Sequence, residues 1–276
     1  MPSQALGVQV AKGGGTTARI NAAAAGSLTE LSQAFPVQVI DPGVHKLVEE
    51  GGFRRRRWMD WAVFHVEPGF ADWWVRYTRA VKQRNAALKS QPEQAGVWDS
   101  EVARLGERIA EARRGMLAQM EPAWKQAVVA LSGLEVDLHY SQGWSQEVSL
   151  AQSLVDSRAR DQARGLTHSG PHRADVLVRL GGRPAREILS RGQQKLVAIA
   201  MTLAQIQLLQ QRTSMMPTLL LDDPAAELDG AHLLSFIGEV SRLNCQLVLT
   251  SLQPGSELFG RPERVFHVER GQVAAA

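Results

Sequence analysis

Residues 218–229 read Thr218-Leu219-Leu220-Leu221-Asp222-Asp223-Pro224-Ala225-Ala226-Glu227-Leu228-Asp229. An unbroken apolar run closed by acids and a proline is the pattern of a strand buried on both faces of a parallel sheet. Its carboxyl end is where open α/β sheets place their ligands. Two adjacent carboxylates repel, and one is driven toward its neutral form unless a cation such as Mg2+ compensates both. Taken alone the pattern is weak, because many strands end in acids simply to begin a turn.

Upstream lies Leu189-Ser190-Arg191-Gly192-Gln193-Gln194-Lys195, followed by Leu196, Ile199, Leu203, Ile206 and Leu209 at helical spacing. Ser190 is a natural helix cap, and Gly192 leaves the backbone uncovered, so the first-turn N–H groups and the positive end of the dipole face outward. Such a tip suits a terminal phosphate. An ordinary serine-capped helix start accounts for the same residues. Beyond the acid pair, a helix over about 231–243 and a strand over 246–250 continue the alternation, which predicts a parallel sheet with right-handed crossovers. Residues 265–268 and 271–273 read as a closing hairpin.

The first forty residues are β-type runs around Gly13-Gly14-Gly15, a short helix capped by Ser27, and a strand over 37–40. The glycines look suited to phosphate, but a phosphate-binding loop needs Gly-Lys-Ser/Thr, and no Gly-Lys pair occurs in the chain. They are expected to form a hairpin turn. The middle is helical: Trp73, Tyr77, Val81 and Leu88 share one face, as do Val102, Leu105, Ile109, Ala112, Met116, Met120, Trp124 and Val128. Pro92 and Gly96 separate the two runs, predicting a helical hairpin. A strand over 134–140, a helix over about 146–163 and a hairpin at Gly181-Gly182 follow.

Composition sets the bounds. The 276 residues are 44% hydrophobic and 21% charged, near globular averages. The single cysteine, Cys245, cannot form an internal disulfide, so a reducing, cytoplasmic setting is expected. There is no leader pattern and no apolar run of membrane-spanning length. A net charge of +3 and pI near 9.3 permit nucleic-acid binding without requiring it.

Together, a Ser-x-Gly-Gln helix start, a helix, an apolar strand ending in Asp-Asp-Pro and a Glu-Leu-Asp turn resemble the ordered signature motif, Walker B and D-loop of ABC-type ATPases. In that arrangement Asp222 holds Mg2+ through water, while Asp223 is the catalytic acid that orients or deprotonates the water attacking the γ-phosphate. Within that superfamily, Ser169-Gly170-Pro171-His172-Arg173-Ala174-Asp175, residues 189–195 and 219–229 resemble the RecF family. So do Asp41-Pro42 through Leu47, Arg55-Arg56, Asp60-Trp61 and Phe64-His65-Val66-Glu67-Pro68. The resemblance runs from about Leu28 to the C-terminus.

It implies an α/β fold, an incomplete ABC-type ATPase head with a P-loop NTPase-like sheet plus a mostly helical second lobe. Residues 1–41 and 166–276 would belong to the ATP-binding lobe and 42–165 to the helical lobe. It further implies ATP and Mg2+ as cofactors and an ATP-dependent homodimer on single-stranded and gapped duplex DNA. RecO and RecR would be partners in loading recombinase at gaps, supporting replication recovery and the SOS response. By the same resemblance Ser190, Arg191, Gly192 and Gln193 contact nucleotide held by the opposite subunit, Asp229 lies at the interface, and Ser251 takes the switch position.

The family's phosphate loop precedes the matched region, so the chain is expected to be an N-terminally truncated member that binds ATP poorly alone. Arg54, Arg55, Arg56 and Arg57 are candidate DNA contacts, or else partners of Glu49, Glu50 and Asp60. His172 and Arg173 form a loop that approaches nucleotide or DNA, or a structural turn. Two other functions stay open: a non-catalytic DNA- or partner-binding module, and a transporter ATPase subunit, which the helical hairpin and Gly-Pro-His-Arg disfavour.

Overall fold

The computed structural model describes residues 5–252 and 259–275. Strands β1 (Leu6–Val10) and β2 (Thr16–Ile20) form an antiparallel hairpin, extended by β3 (Ala23–Ala24). Its turn carries Gly14 at φ 92°, a left-handed conformation glycine adopts without strain, so the glycines close a hairpin as expected. Helix α1 (Leu28–Ala34) starts at Ser27, whose side chain accepts the Glu30 N–H. Strand β4 (Val37–Ile40) follows, then α2 (Lys46–Glu49), α3 (Gly52–Val66) and α4 (Phe70–Ser90).

A 3-10 turn over Pro92–Trp98 reverses the chain into the 34-residue α5 (Asp99–Ser132). The two long helices are antiparallel: Arg84 pairs with Asp99, Arg76 with Glu101, and Arg108 stacks over Trp73. The apolar spacing read from sequence marks the buried faces of the two helices, with Tyr77, Ile109 and Trp124 essentially inaccessible to solvent.

Strand β5 (Val136–Ser141) is followed by α6 (Leu150–Asp156) and α7 (Arg158–Arg164), where sequence predicted one helix over about 146–163. The helix begins later because Ser149 caps it, accepting the Gln152 N–H. It breaks at Ser157, and the second piece aims Asp161 at the buried Arg84, 2.7 Å away. Strands β6 (Asp175–Leu180) and β7 (Arg183–Pro184) complete an antiparallel sheet with β5.

After α8 (Ala185–Ile188) comes the 22-residue α9 (Arg191–Arg212), then β8 (Thr218–Asp222), α10 (Pro224–Glu227), α11 (Gly230–Ser241) and β9 (Gln246–Thr250). A hairpin of β10 (Phe266–Glu269) and β11 (Gln272–Ala275) closes the described chain. Strands β4, β8 and β9 form the parallel sheet, with β8 in the centre.

Helix α9 is the hub. Sequence marks one apolar face, yet Val197, Ala198, Ala200, Met201 and Ala204 are buried as well, so the helix is enclosed nearly all round. Helix α5 packs along it. Trp58 Nε1 donates to the Met201 carbonyl at 3.2 Å, and Gln38 Nε2 donates to Gln205 Oε1 at 2.9 Å, tying α3 and β4 to the same helix.

The expectation that β8 is covered on both faces needs correction. Leu219 and Leu221 are buried in the core with Phe236 of α11, but Leu220 is only half-buried. Its register partners Val39 and Val248 are 49% and 46% exposed. Among the described residues, cover is present on one face of this sheet.

Candidate nucleotide site

The site grows from the carboxyl edge of β8. Asp222 ends the strand exposed, level with Thr250 on β9, whose Oγ1 donates to Asp222 Oδ1 at 2.7 Å. The Asp223 N–H donates to both the carbonyl and Oγ1 of Thr250, each at 3.2 Å. Asp223 sits at φ 43°, ψ 55°. For a residue other than glycine this left-handed conformation is uncommon, though aspartate tolerates it better than most, and it costs on the order of 1 kcal/mol or more. Pro224 then fits the first position of α10, where a missing N–H is harmless. The strained turn swings the chain off the strand and keeps both acids at the sheet edge.

The chemistry of this edge fits a hydrated divalent cation. Asp222 is exposed, receives one hydroxyl hydrogen bond at Oδ1, and lies beside a second carboxylate. Among the described residues no group of three or more His, Cys, Asp or Glu is gathered as a metal cage. Mg2+ binds in this manner, with one or two carboxylates, several waters and phosphate oxygens.

The second component is the tip of α9. Ser190 is its exposed N-cap, accepting the Gln193 N–H at 3.3 Å, while Gln193 Oε1 accepts the Ser190 N–H at 3.0 Å. This capping box turns the Gln193 side chain back onto its own helix. Arg191 and Gly192 are exposed beside it. The third component is Asp229, N-cap of α11, which accepts the His232 N–H at 3.0 Å and meets His232 Nδ1 at 2.6 Å. These hydrogen bonds, the backbone one foremost, hold its carboxyl below the usual range. Ser251 follows Thr250 directly, at the end of β9, and is exposed.

Sequence reasoning misses one link between the second and third components. Lys195 Nζ pairs with the Glu227 carboxylate and donates to the Glu227 carbonyl at 3.2 Å. It misses Thr250 as well, which grips both acids of the pair. A polar residue at the end of a neighbouring strand carries no signal until the register is known.

The four arginines separate. Arg54 pairs with Glu50, one of the two alternatives open from sequence, and Arg57 is exposed over the Phe53 ring. Arg56 donates to the Ala174 carbonyl at 2.7 Å. Arg55 is buried, forks onto both oxygens of Asp175 at 2.8 Å, and also donates to the carbonyls of Leu47, Val48 and Glu50. Asp60 pairs with Arg113 of α5 rather than with its neighbours.

His172 is occupied at both ring nitrogens, by Tyr77 Oη at 2.6 Å and the Thr167 carbonyl at 3.0 Å. Burial foremost lowers its pKa to about 4. Arg55 and His172 are therefore corrected from candidate DNA contacts to internal ties, because their polar atoms are spent inside the fold. Arg173 remains exposed.

No family model matches the chain. Among curated proteins it is 36% identical to the DNA replication and repair protein RecF of Pseudomonas aeruginosa (strain UCBPP-PA14), over 98% of this chain and 75% of that one. It is 38% identical to the RecF of Cellvibrio japonicus, over 98% and 76%. A solved structure of the recombination mediator protein RecF with ATP, in the RecFOR pathway, superposes with a TM-score of 0.83 at 21% identity, covering 96% of this chain and 74% of that one. An Smc head domain from Pyrococcus furiosus gives 0.51 at 12% identity, covering 97% and 70%. The mixed α/β fold is that of RecF and SMC-type ATPase heads.

Proposed function

Because the chain belongs to the RecF family of DNA replication and repair proteins, we propose that it works as a RecF-type head supplying one half of a composite nucleotide site. The residues around 190 and 222–229 act with ATP and Mg2+ between two heads assembled on DNA.

The residues of the site have separate tasks in this reading. Ser190 and the main chain at Arg191 and Gly192 approach the terminal phosphate of nucleotide held by the opposite head, where N–H groups and the helix dipole favour negative charge. Gln193 braces that tip through the capping box. Asp222 holds the cation, Asp223 orients the attacking water, Asp229 lies at the interface between heads, and Ser251 senses the phosphate. Mg2+, when bound, offsets charge on the phosphate oxygens.

Arg57 and Arg173, both exposed, are assigned to DNA phosphates, and RecR and RecO to partners in loading recombinase at single-strand gaps. The proposed division places residues 1–41 and 166–276 in the nucleotide lobe and 42–165 in the helical lobe.

One observation carries the reading: a strained Asp223 beside Asp222 at the carboxyl edge of a central parallel strand, both gripped by Thr250. A second reading is a DNA- or partner-binding module that does not hydrolyse nucleotide. Sedimentation velocity decides between them, run on the chain alone and mixed with the full-length P. aeruginosa relative, with and without Mg·ATP. The proposal expects association that requires ATP, is lost in Ser190→Arg, and survives in Asp223→Asn with hydrolysis abolished. Association indifferent to ATP would support the second reading.

A further inference from the structure

The turn carrying the acid pair and Asp229 has little stability of its own. Helix α10 is four residues long, far below the length at which a helix persists unaided. It begins at a residue in a strained conformation, Asp223. Two outside groups fix its ends. Thr250 takes the Asp223 N–H at the start, and Lys195 reaches across from the second turn of α9 to the end.

Lys195 makes two contacts there, with the carboxylate and the main-chain carbonyl of Glu227. A cation on the last carbonyl of a helix is a favourable C-terminal cap. Its side chain is 14% exposed and that of Glu227 30%, so the contact is partly shielded from solvent. Helix α9 is itself rigidly seated, with its residues from Leu196 to Leu209 almost all buried.

We propose that Lys195 is a positioning residue. It pins the Asp223 to Asp229 turn to α9, so that the helix tip at Ser190 and the acids at the sheet edge move as one body. Glu227 is its counterpart. The proposal rests on the composite-site reading for its consequence, since a shift of the helix tip on meeting phosphate is passed to Asp223 and Asp229 through this contact.

Hydrogen–deuterium exchange on the purified chain tests the pin whether or not nucleotide binds. Lys195→Met is expected to speed exchange of amides in 223–229 about tenfold, with other segments and the melting temperature little changed, and Lys195→Arg to restore protection. Unchanged exchange in that segment overturns the proposal, and so does a rise spread evenly over the chain. Mg·ATP-dependent association of these variants with the full-length P. aeruginosa relative, measured in the mixture, is expected to weaken about tenfold in Lys195→Met and to recover in Lys195→Arg. If the wild type shows no ATP-dependent association, the composite-site reading falls, while the exchange result still decides whether the pin exists.

Discussion

Arg54 to Arg57 follow one another in sequence and meet four different environments, because a helix turns about 100° per residue. Arg55 points inward to Asp175, and Arg57 points to solvent. Truncating the buried partner strands a carboxylate and several carbonyls, so Arg55→Ala is expected to lower unfolding stability by about 3–5 kcal/mol in urea titrations. Arg57→Ala should change stability by less than about 0.5 kcal/mol. If DNA phosphates meet this face, Arg57→Ala should also reduce the slope of log binding constant against log salt by about 0.9. An Arg55→Ala variant as stable as the wild type would contradict the burial of this guanidinium against Asp175.

At the scale of elements, the loop before α6 and the segment leading into β6 hold each other through the backbone. Gly143 has φ 96°, and a Cβ at that position would lie 2.2 Å from the Gly170 carbonyl oxygen. Main chain cannot yield as a flexible side chain does. Gly143→Ala is therefore expected to cost about 2 kcal/mol or more, through both backbone strain and the clash, visible as a lowered melting temperature. At the tip of α9 the expected loss is smaller. Ser190→Ala removes half of the capping box and should destabilise by about 1 kcal/mol in chemical denaturation. Both elements are legible as types in the sequence, yet neither the break at Ser157 nor the contact of Gly143 with Gly170 is, because each depends on residues far apart in the chain.

For the whole molecule, a set of buried ion pairs joins segments that hydrophobic patterning treats as separate. Arg84 binds Asp99 and Asp161, and Arg113 of α5 binds Asp60 and the Pro171 carbonyl. His172 lies in the same interior and stays neutral, with its pKa near 4 against an ordinary value of 6.5. The unfolded chain takes up a proton at this histidine as pH falls through 6.5, whereas the folded chain does so only near 4. Stability linked to His172 is thus fully present above about pH 6.5 and is lost progressively down to about pH 4, by about 3 kcal/mol at most. Unfolding free energies across that window should fall less steeply in His172→Gln than in the wild type. Parallel slopes for the two proteins would show that the histidine is protonated in the fold.

The sequence by itself determined the main strands and helices and the acid-ended strand from which the proposed site is built. Period and turn residues set the hairpin at Gly13-Gly14-Gly15, the two long helices and the β8 strand, and the acids at 222–223 stood out because they close an unbroken apolar run. Which polar side chains turn inward was decided only by tertiary structure: Arg55, Arg84, Arg113 and His172 have the residue types of a solvated face. So were the grip of Thr250 on the acid pair and of Lys195 on Glu227. Local pattern records whether a residue is apolar, but a charge is held inside only where a partner arrives from elsewhere in the chain, and folding alone brings the two together.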